Sequence, residues 1–113
     1  MMPGASPPPA SRPRRIGAVR RSTVERRLRD NSRRLQLLRE ELGITAEQMT
    51  QLGEEAEDAR IRAMVSETAL AQREHSDAER HAAALSRHRA EVEAEIERLE
   101  QDQDRLLDQL GGG

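Results

Sequence analysis

The feature that most constrains the fold is a run of mostly apolar residues near the C-terminus, spaced alternately four and three apart. The run consists of Ala78, Ala82, Leu85, Arg89, Val92, Ile96, Leu99, Gln103, Leu106 and Leu110. This spacing puts all of its members on one stripe of an α-helix, and its persistence over three heptads is typical of a coiled coil. It predicts a long helix over about residues 69–110 that packs along a second helix.

A second stripe lies nearer the N-terminus and predicts a helix over about residues 23–42. Its members, again four and three apart, are Val24, Leu28, Asn31, Leu35, Leu38 and Leu42. Ser22 and Glu25 have the spacing of a capping box, in which each side chain bonds the other residue's exposed backbone N–H. The helix is therefore predicted to begin just after Ser22.

Local signals next predict a tight turn at residues 43–45. Gly43 suits the left-handed position that ends many helices, and Thr45 with Gln48 forms a second capping box. A helix over about residues 46–66 would follow and fold back antiparallel to the first. Residues 66–69 are a possible kink, because they lie among β-branched residues and N-cap candidates. Whether residues 46–110 form one helix or two stays open.

Composition narrows the fold class further. The chain has no Phe, Tyr, Trp, Cys or Lys in its 113 residues. Without aromatic side chains it cannot fill a thick core or stack nucleic-acid bases, and without cysteine it cannot build a disulfide scaffold or zinc finger. We therefore predict an all-α fold: an antiparallel helical hairpin or coiled coil with a long C-terminal helix and a disordered N-terminal arm.

The N-terminal arm, residues 1–21, contains five prolines and two glycines and is predicted to be disordered, and the Gly tail at 111–113 is predicted to end the last helix and to fray. Its arginines precede the first acidic residue and form a candidate phosphate-binding set, Arg12, Arg14, Arg15, Arg20 and Arg21. No apolar run is long enough to span a membrane. We expect a cytoplasmic protein; an Arg-rich mitochondrial transit peptide is the alternative reading of the arm.

Charge is segregated along the chain. Residues 1–34 carry ten Arg against Glu25 and Asp30, a net +8, whereas residues 35–113 carry nine Arg against nineteen acids, a net −10. Acidic residues flank the C-terminal stripe, and arginines flank the N-terminal one: Glu93, Glu95, Glu100 and Asp102 against Arg27, Arg34 and Arg39. Opposite charges at such positions select coiled-coil partners. The N-terminal helix should therefore pair with the C-terminal half of the last helix, within one chain or across two.

The sequence contains no group of residues with the types and spacing of a catalytic, phosphate-binding or metal site. It has no nucleophile beside a base and no Gly-rich phosphate loop, and His81 and His88 are one heptad apart, about 10.5 Å, too far to share a metal ion. We predict no enzyme activity, cofactor or metal.

The predicted function is that of a self-associating coiled-coil adaptor or scaffold, most simply a homodimer that also binds an unidentified protein partner. Its candidate packing stripe is Leu28, Leu35, Leu38, Leu42, Leu85, Val92, Ile96, Leu99, Leu106 and Leu110. The alternative is an accessory protein that binds nucleic acid without sequence preference through the arginine arm.

Two stretches carry a family resemblance. Residues 20–42 read RRSTVERRLRDNSRRLQLLREEL, and residues 57–75 read EDARIRAMVSETALAQREH. Both resemble a family of small helical, coiled-coil proteins from high-GC actinobacteria. The resemblance implies a helical fold and a source, and it attaches no function to any residue.

Overall fold

The computed structural model describes residues 11–111, with side chains from Gly17 onward. Two helices account for nearly all of this range: α1 spans Ser11–Ser66 and α2 spans Ala69–Gly111. No strand occurs within the described range. At 1.5 Å per residue, the 56 residues of α1 make a rod about 84 Å long.

The two helices pack antiparallel along their length, which confirms the predicted all-α helical hairpin. Their apolar stripes face each other in a single seam. The best-packed part of the seam joins Leu35 and Leu38 of α1 to Val92 and Ile96 of α2. Towards the turn the buried side chains shrink to alanines such as Ala59 and Ala63. Hydrophobic stabilisation is therefore concentrated near the middle of the two helices and weakens towards the turn.

The chain reverses at Glu67 and Thr68, where the sequence predicts a possible kink. Glu67 has φ 52°, the left-handed conformation that often ends helices, and its N–H donates to the Ala63 carbonyl at 3.2 Å. Thr68 then caps α2, because its Oγ1 accepts a bond from the Ala71 N–H at 3.1 Å. Residues 46–110 are therefore two helices, and the hairpin turn is two residues long.

The predicted turn at residues 43–45 is wrong. Helix α1 runs through Gly43 without interruption, and Thr45 is only 2% exposed, within the seam rather than at a cap. Thr45 follows Leu42 by three residues and precedes Met49 by four, so the two short stripes predicted on either side are one stripe in one register. Packing of this continuous stripe against α2 outweighs the local turn signals, including the cost of about 1 kcal/mol for a helical glycine.

The predicted helix start at Ser22 and the predicted disorder of residues 11–21 are also wrong. Helix α1 already begins at Ser11, and Ser22 is an exposed residue inside it. Pro13 lies in the first turn, where its missing N–H removes no helical hydrogen bond. The rest of the predicted arm, residues 1–10, lies outside the described residues. At the other end, Gly111 closes α2 and residues 112–113 are likewise outside.

Candidate functional site

Two of the predicted pairs between charged flanking residues form across the seam, within one chain. Arg34 donates from Nε to Glu95 Oε1 at 3.1 Å and from Nη2 to Glu95 Oε2 at 3.4 Å. Arg39 Nη2 lies 3.9 Å from Glu100 Oε2. Such exposed pairs are each worth less than about 1 kcal/mol, but they penalise other alignments of the helices. Glu95 and Glu100 are thus matched by α1 of the same molecule, whereas the other two acidic flank residues pair with arginines of α2 itself.

All ten residues of the candidate packing stripe lie in this intrachain seam. Leu35, Leu38, Val92, Ile96 and Leu106 are buried. The others are half-buried, namely Leu28, Leu42, Leu85, Leu99 and Leu110. Because one chain supplies both sides of the seam, the stripe is occupied without a second molecule.

Two polar contacts across the seam were not foreseen in detail. Gln103 Nε2 donates to Ser32 Oγ at 3.1 Å and, at 3.4 Å, to the Leu28 carbonyl, while its Oε1 is buried without a partner. His88 Nε2 lies 2.9 Å from Glu41 Oε1. The partners of Gln103 and His88 could not be predicted from the sequence, because these depend on how α1 and α2 are aligned in the hairpin. These contacts fix the alignment of the helices and form no reactive pair.

The candidate phosphate-binding arginines lie where α1 runs beyond the end of α2. An open groove at this end is lined by Arg20, Arg21 and Val24 of α1 and by Asp108 and Leu110 of α2. Arg20 and Arg21 are exposed there. The remaining three, Arg12, Arg14 and Arg15, are on the helical segment further out, for which the structure describes the backbone alone. The structure therefore brings the five together on one projecting helix end.

A set of large apolar side chains lies exposed on the surface, and the sequence pattern did not predict it. Half of them gather around the hairpin turn: Ile61, Met64, Val65 and Leu70, which we call the tip cluster. Val65 is the most exposed of these, at 79%. Their spacing does not follow the seam, but this identifies them only once the register of the seam and the position of the turn are known. Clustered exposed apolar groups are more informative than isolated ones, because they mark contact surfaces.

Leu37 and Ile44 are also exposed, at 53% and 58%, and they lie one heptad apart on the middle of α1. They sit beside the column of α1 that points away from α2, which we call the outer face. Its members recur every seven residues: Val19, Arg26, Arg33, Glu40, Glu47, Glu54 and Ile61. The charge of this face changes sign between Arg33 and Glu40.

Close to the tip, Arg60 forms hydrogen bonds with Glu57, one turn earlier in α1. This bonding lowers the pKa of the Glu57 carboxyl and raises the pKa of the Arg60 guanidinium. The pair is open to solvent, so it tethers two side chains of one helix and holds no substrate.

Residues 11–111 contain neither a cluster of metal ligands nor a membrane-spanning helix. The described side chains include no group of three or more His, Cys, Asp or Glu that could hold a metal ion. Neither described helix is long and apolar enough to cross a bilayer.

Comparison of the chain with protein-family models, with curated proteins and with solved structures finds no match.

Proposed function

We propose that this chain is a non-enzymatic coiled-coil protein that self-associates, most simply as a homodimer, and serves as an adaptor or scaffold. The observation that carries the proposal is the set of exposed apolar side chains left over after the seam is filled. The seam already buries the packing stripe within one chain, so the tip cluster and Leu37 with Ile44 contribute nothing to it. Contact with another protein is the usual reason for such surfaces on a helical protein.

The shape of the hairpin supports the scaffold role. Its tip cluster and its arginine-rich end are separated by most of the length of α1, about 84 Å for the whole helix. Two surfaces of different chemistry at opposite ends of a rod can hold two partners apart. An apolar tip suits an apolar protein surface, and a basic end suits an acidic one.

Sedimentation equilibrium of the full chain across micromolar concentrations tests the self-association. We expect a mass that rises with concentration towards twice that of one chain. A folded monomer at every concentration would contradict this part of the proposal.

Affinity capture from the native host tests the adaptor role, with a matched pair of baits. The wild-type chain should retain a protein that the double variant Val65→Ser, Leu70→Ser does not, because both substitutions remove exposed apolar groups from the tip cluster. Both baits should keep the same helicity by circular dichroism. A partner retained equally by both would exclude the tip as its binding surface. We further propose a cytoplasmic location, which cell fractionation tests.

A second candidate function is nucleic-acid binding without sequence preference. The observation that favours it is the projecting end of α1, where five arginines occur between residues 11 and 21 with no acidic residue among them. Binding through phosphates should weaken steeply between about 50 and 200 mM salt and should be lost when residues 1–21 are deleted. A mobility-shift assay on any duplex measures both effects, and no shift at low salt would exclude this function.

A further inference from the structure

We propose that the outer face of α1 is the interface of a two-fold symmetric dimer, in which the α1 helices of two copies lie antiparallel against each other and each α2 lies on the far side of its own α1. This inference rests on the self-association proposed above and names the surface and the geometry. The partner it commits to is a second copy of this chain.

The charges on the outer face of α1 are ordered along the helix, basic before acidic. Arg26 and Arg33 precede its midpoint, and Glu40 and Glu47 follow it. All four are exposed, and none makes an ion pair with any side chain in the described range. Within one helix, residues seven apart are about 10.5 Å from each other along the axis, too far to pair. Asp30 lies within one turn of both arginines, but it makes no ion pair in the described range, so all four charges remain without an ion-pair partner in the hairpin.

This order of charges is complementary to itself when two copies lie antiparallel. Arg33 and Glu40 lie on opposite sides of a point midway between residues 36 and 37, each about 5 Å from it along the helix axis. Arg26 and Glu47 lie on opposite sides of the same point, each about 16 Å from it. A two-fold rotation about that point places Arg33 beside the partner's Glu40 and Arg26 beside the partner's Glu47. Symmetry repeats both contacts, so one dimer gains four attractive pairs.

An exposed apolar residue, Leu37, lies at the midpoint of this charge pattern. Leu37 is 53% exposed and lies at the axis, where it would meet the partner's Leu37. Ile44, one heptad away, is 58% exposed and lies about 11 Å from the axis, level with the partner's Arg29 and the partner's Asp30, so the apolar centre consists of the two Leu37 side chains. An apolar centre with charged pairs around it is the usual arrangement of a protein interface.

A competing arrangement would set the acidic half of the outer face against arginines on the back of α2, namely Arg73, Arg80 and Arg87. The exposed large apolar residues of α2 are only Leu70 and Leu107 within the described range, both near its ends. The back of α2 thus offers no apolar centre opposite Leu37 and Ile44. The pairing of α1 with α1 matches the charges and also brings the two exposed Leu37 side chains together.

Charge reversals measured by sedimentation equilibrium test the proposal on the full chain. Arg33→Glu and Glu40→Arg should each weaken dimerisation roughly thirtyfold, because each replaces two symmetry-related attractions by repulsions. An equimolar mixture of the two variants should recover the wild-type affinity as a heterodimer, since both contacts are then attractive again. The double variant Arg33→Glu, Glu40→Arg should form a homodimer with the wild-type affinity. Arg80→Glu, on the back of α2, should leave it unchanged.

The outcomes separate the two proposals. If the wild type dimerises but neither Arg33→Glu nor Glu40→Arg weakens it, or if their mixture does not recover, the outer face of α1 is the wrong surface while self-association stands. If Arg80→Glu weakens the dimer, the acidic face pairs with α2 and the inference is overturned. A wild type that is monomeric throughout would overturn both proposals. Circular dichroism of each variant distinguishes loss of contact from loss of fold, and the double variant provides the test should a single variant unfold.

Discussion

Replacing Leu38 by alanine should destabilise the hairpin more than any other truncation on α1. Leu38 is 1% exposed and packs with Leu35, Val92 and Ile96 in the best-filled part of the seam. The change removes the equivalent of three methylene groups, about 2.4 kcal/mol of transfer free energy. A cavity adds to this, but two helices can close a gap more readily than a thick core, so we expect a total loss of about 2.5–3.5 kcal/mol. The better helix propensity of alanine offsets only a few tenths.

Urea unfolding followed by circular dichroism measures this loss, and the melting temperature should fall by roughly 10–25 °C. Leu107→Ala is the matched control, because it deletes the same atoms from a side chain that is 55% exposed on α2. Its cost should stay within about 0.5 kcal/mol. Equal losses for the two variants would refute the register of the seam, and with it the assignment of the outer face.

Three further measurements check the turn and the charges. Gly43→Ala should stabilise the hairpin by about 1 kcal/mol in urea unfolding, because Gly43 lies inside α1 and a Cβ there would meet nothing within 4 Å; destabilisation would restore the turn predicted at 43–45. Glu67→Gly should stabilise by about 0.5–1 kcal/mol, since Glu67 holds φ 52° and glycine adopts that conformation without strain; an unchanged midpoint would contradict a left-handed residue at the turn. The folded-state pKa of Glu57 is lowered by Arg60, so its small contribution to stability should be complete above the ordinary pKa of 4.5 and disappear as the pH falls through the lower folded value. An NMR titration of the Glu57 carboxyl should show the lowered pKa, and Arg60→Ala should return it towards 4.5; a carboxyl that titrates alike in both proteins would contradict the pair.

The architecture could be predicted from the sequence because long-range and local signals agree over most of the chain. The stripe that ends at Leu110 predicts α2 almost to the residue, and the acidic flank at Glu95 and Glu100 predicts which part of α1 it meets. The turn could not be placed, because Gly43 gives a stronger local stop signal than Glu67. The register decides between them: a break at Gly43 would remove the seam contacts of Thr45 and Met49, whereas a break after Ser66 costs no seam contact.

The candidate surfaces were harder to predict for a different reason. An exposed leucine and a buried leucine look alike until the stripe is fixed, so Leu37 beside Leu38 carries no signal in the sequence alone. The same holds for Val65 and Leu70, which become neighbours of one tip only when the turn is known to fall between them. Interaction surfaces on a coiled coil are defined by what the seam leaves outside. They can be identified only after the seam has been established.

The distribution of charge on α1 points to two separate uses of electrostatics in this chain. Residues flanking the seam, such as Arg34 and Arg39, have partners on α2 and select the alignment of the hairpin. Residues on the outer face have none, and a helix that used them for its own stability would alternate their signs at four-residue spacing. Instead arginine precedes and glutamate follows the exposed Leu37, an order that adds nothing to a single hairpin and suits a second copy related by a two-fold axis. Fold and assembly then depend on different side chains, so charge reversal on the outer face should change the mass of the protein in solution without changing its helices.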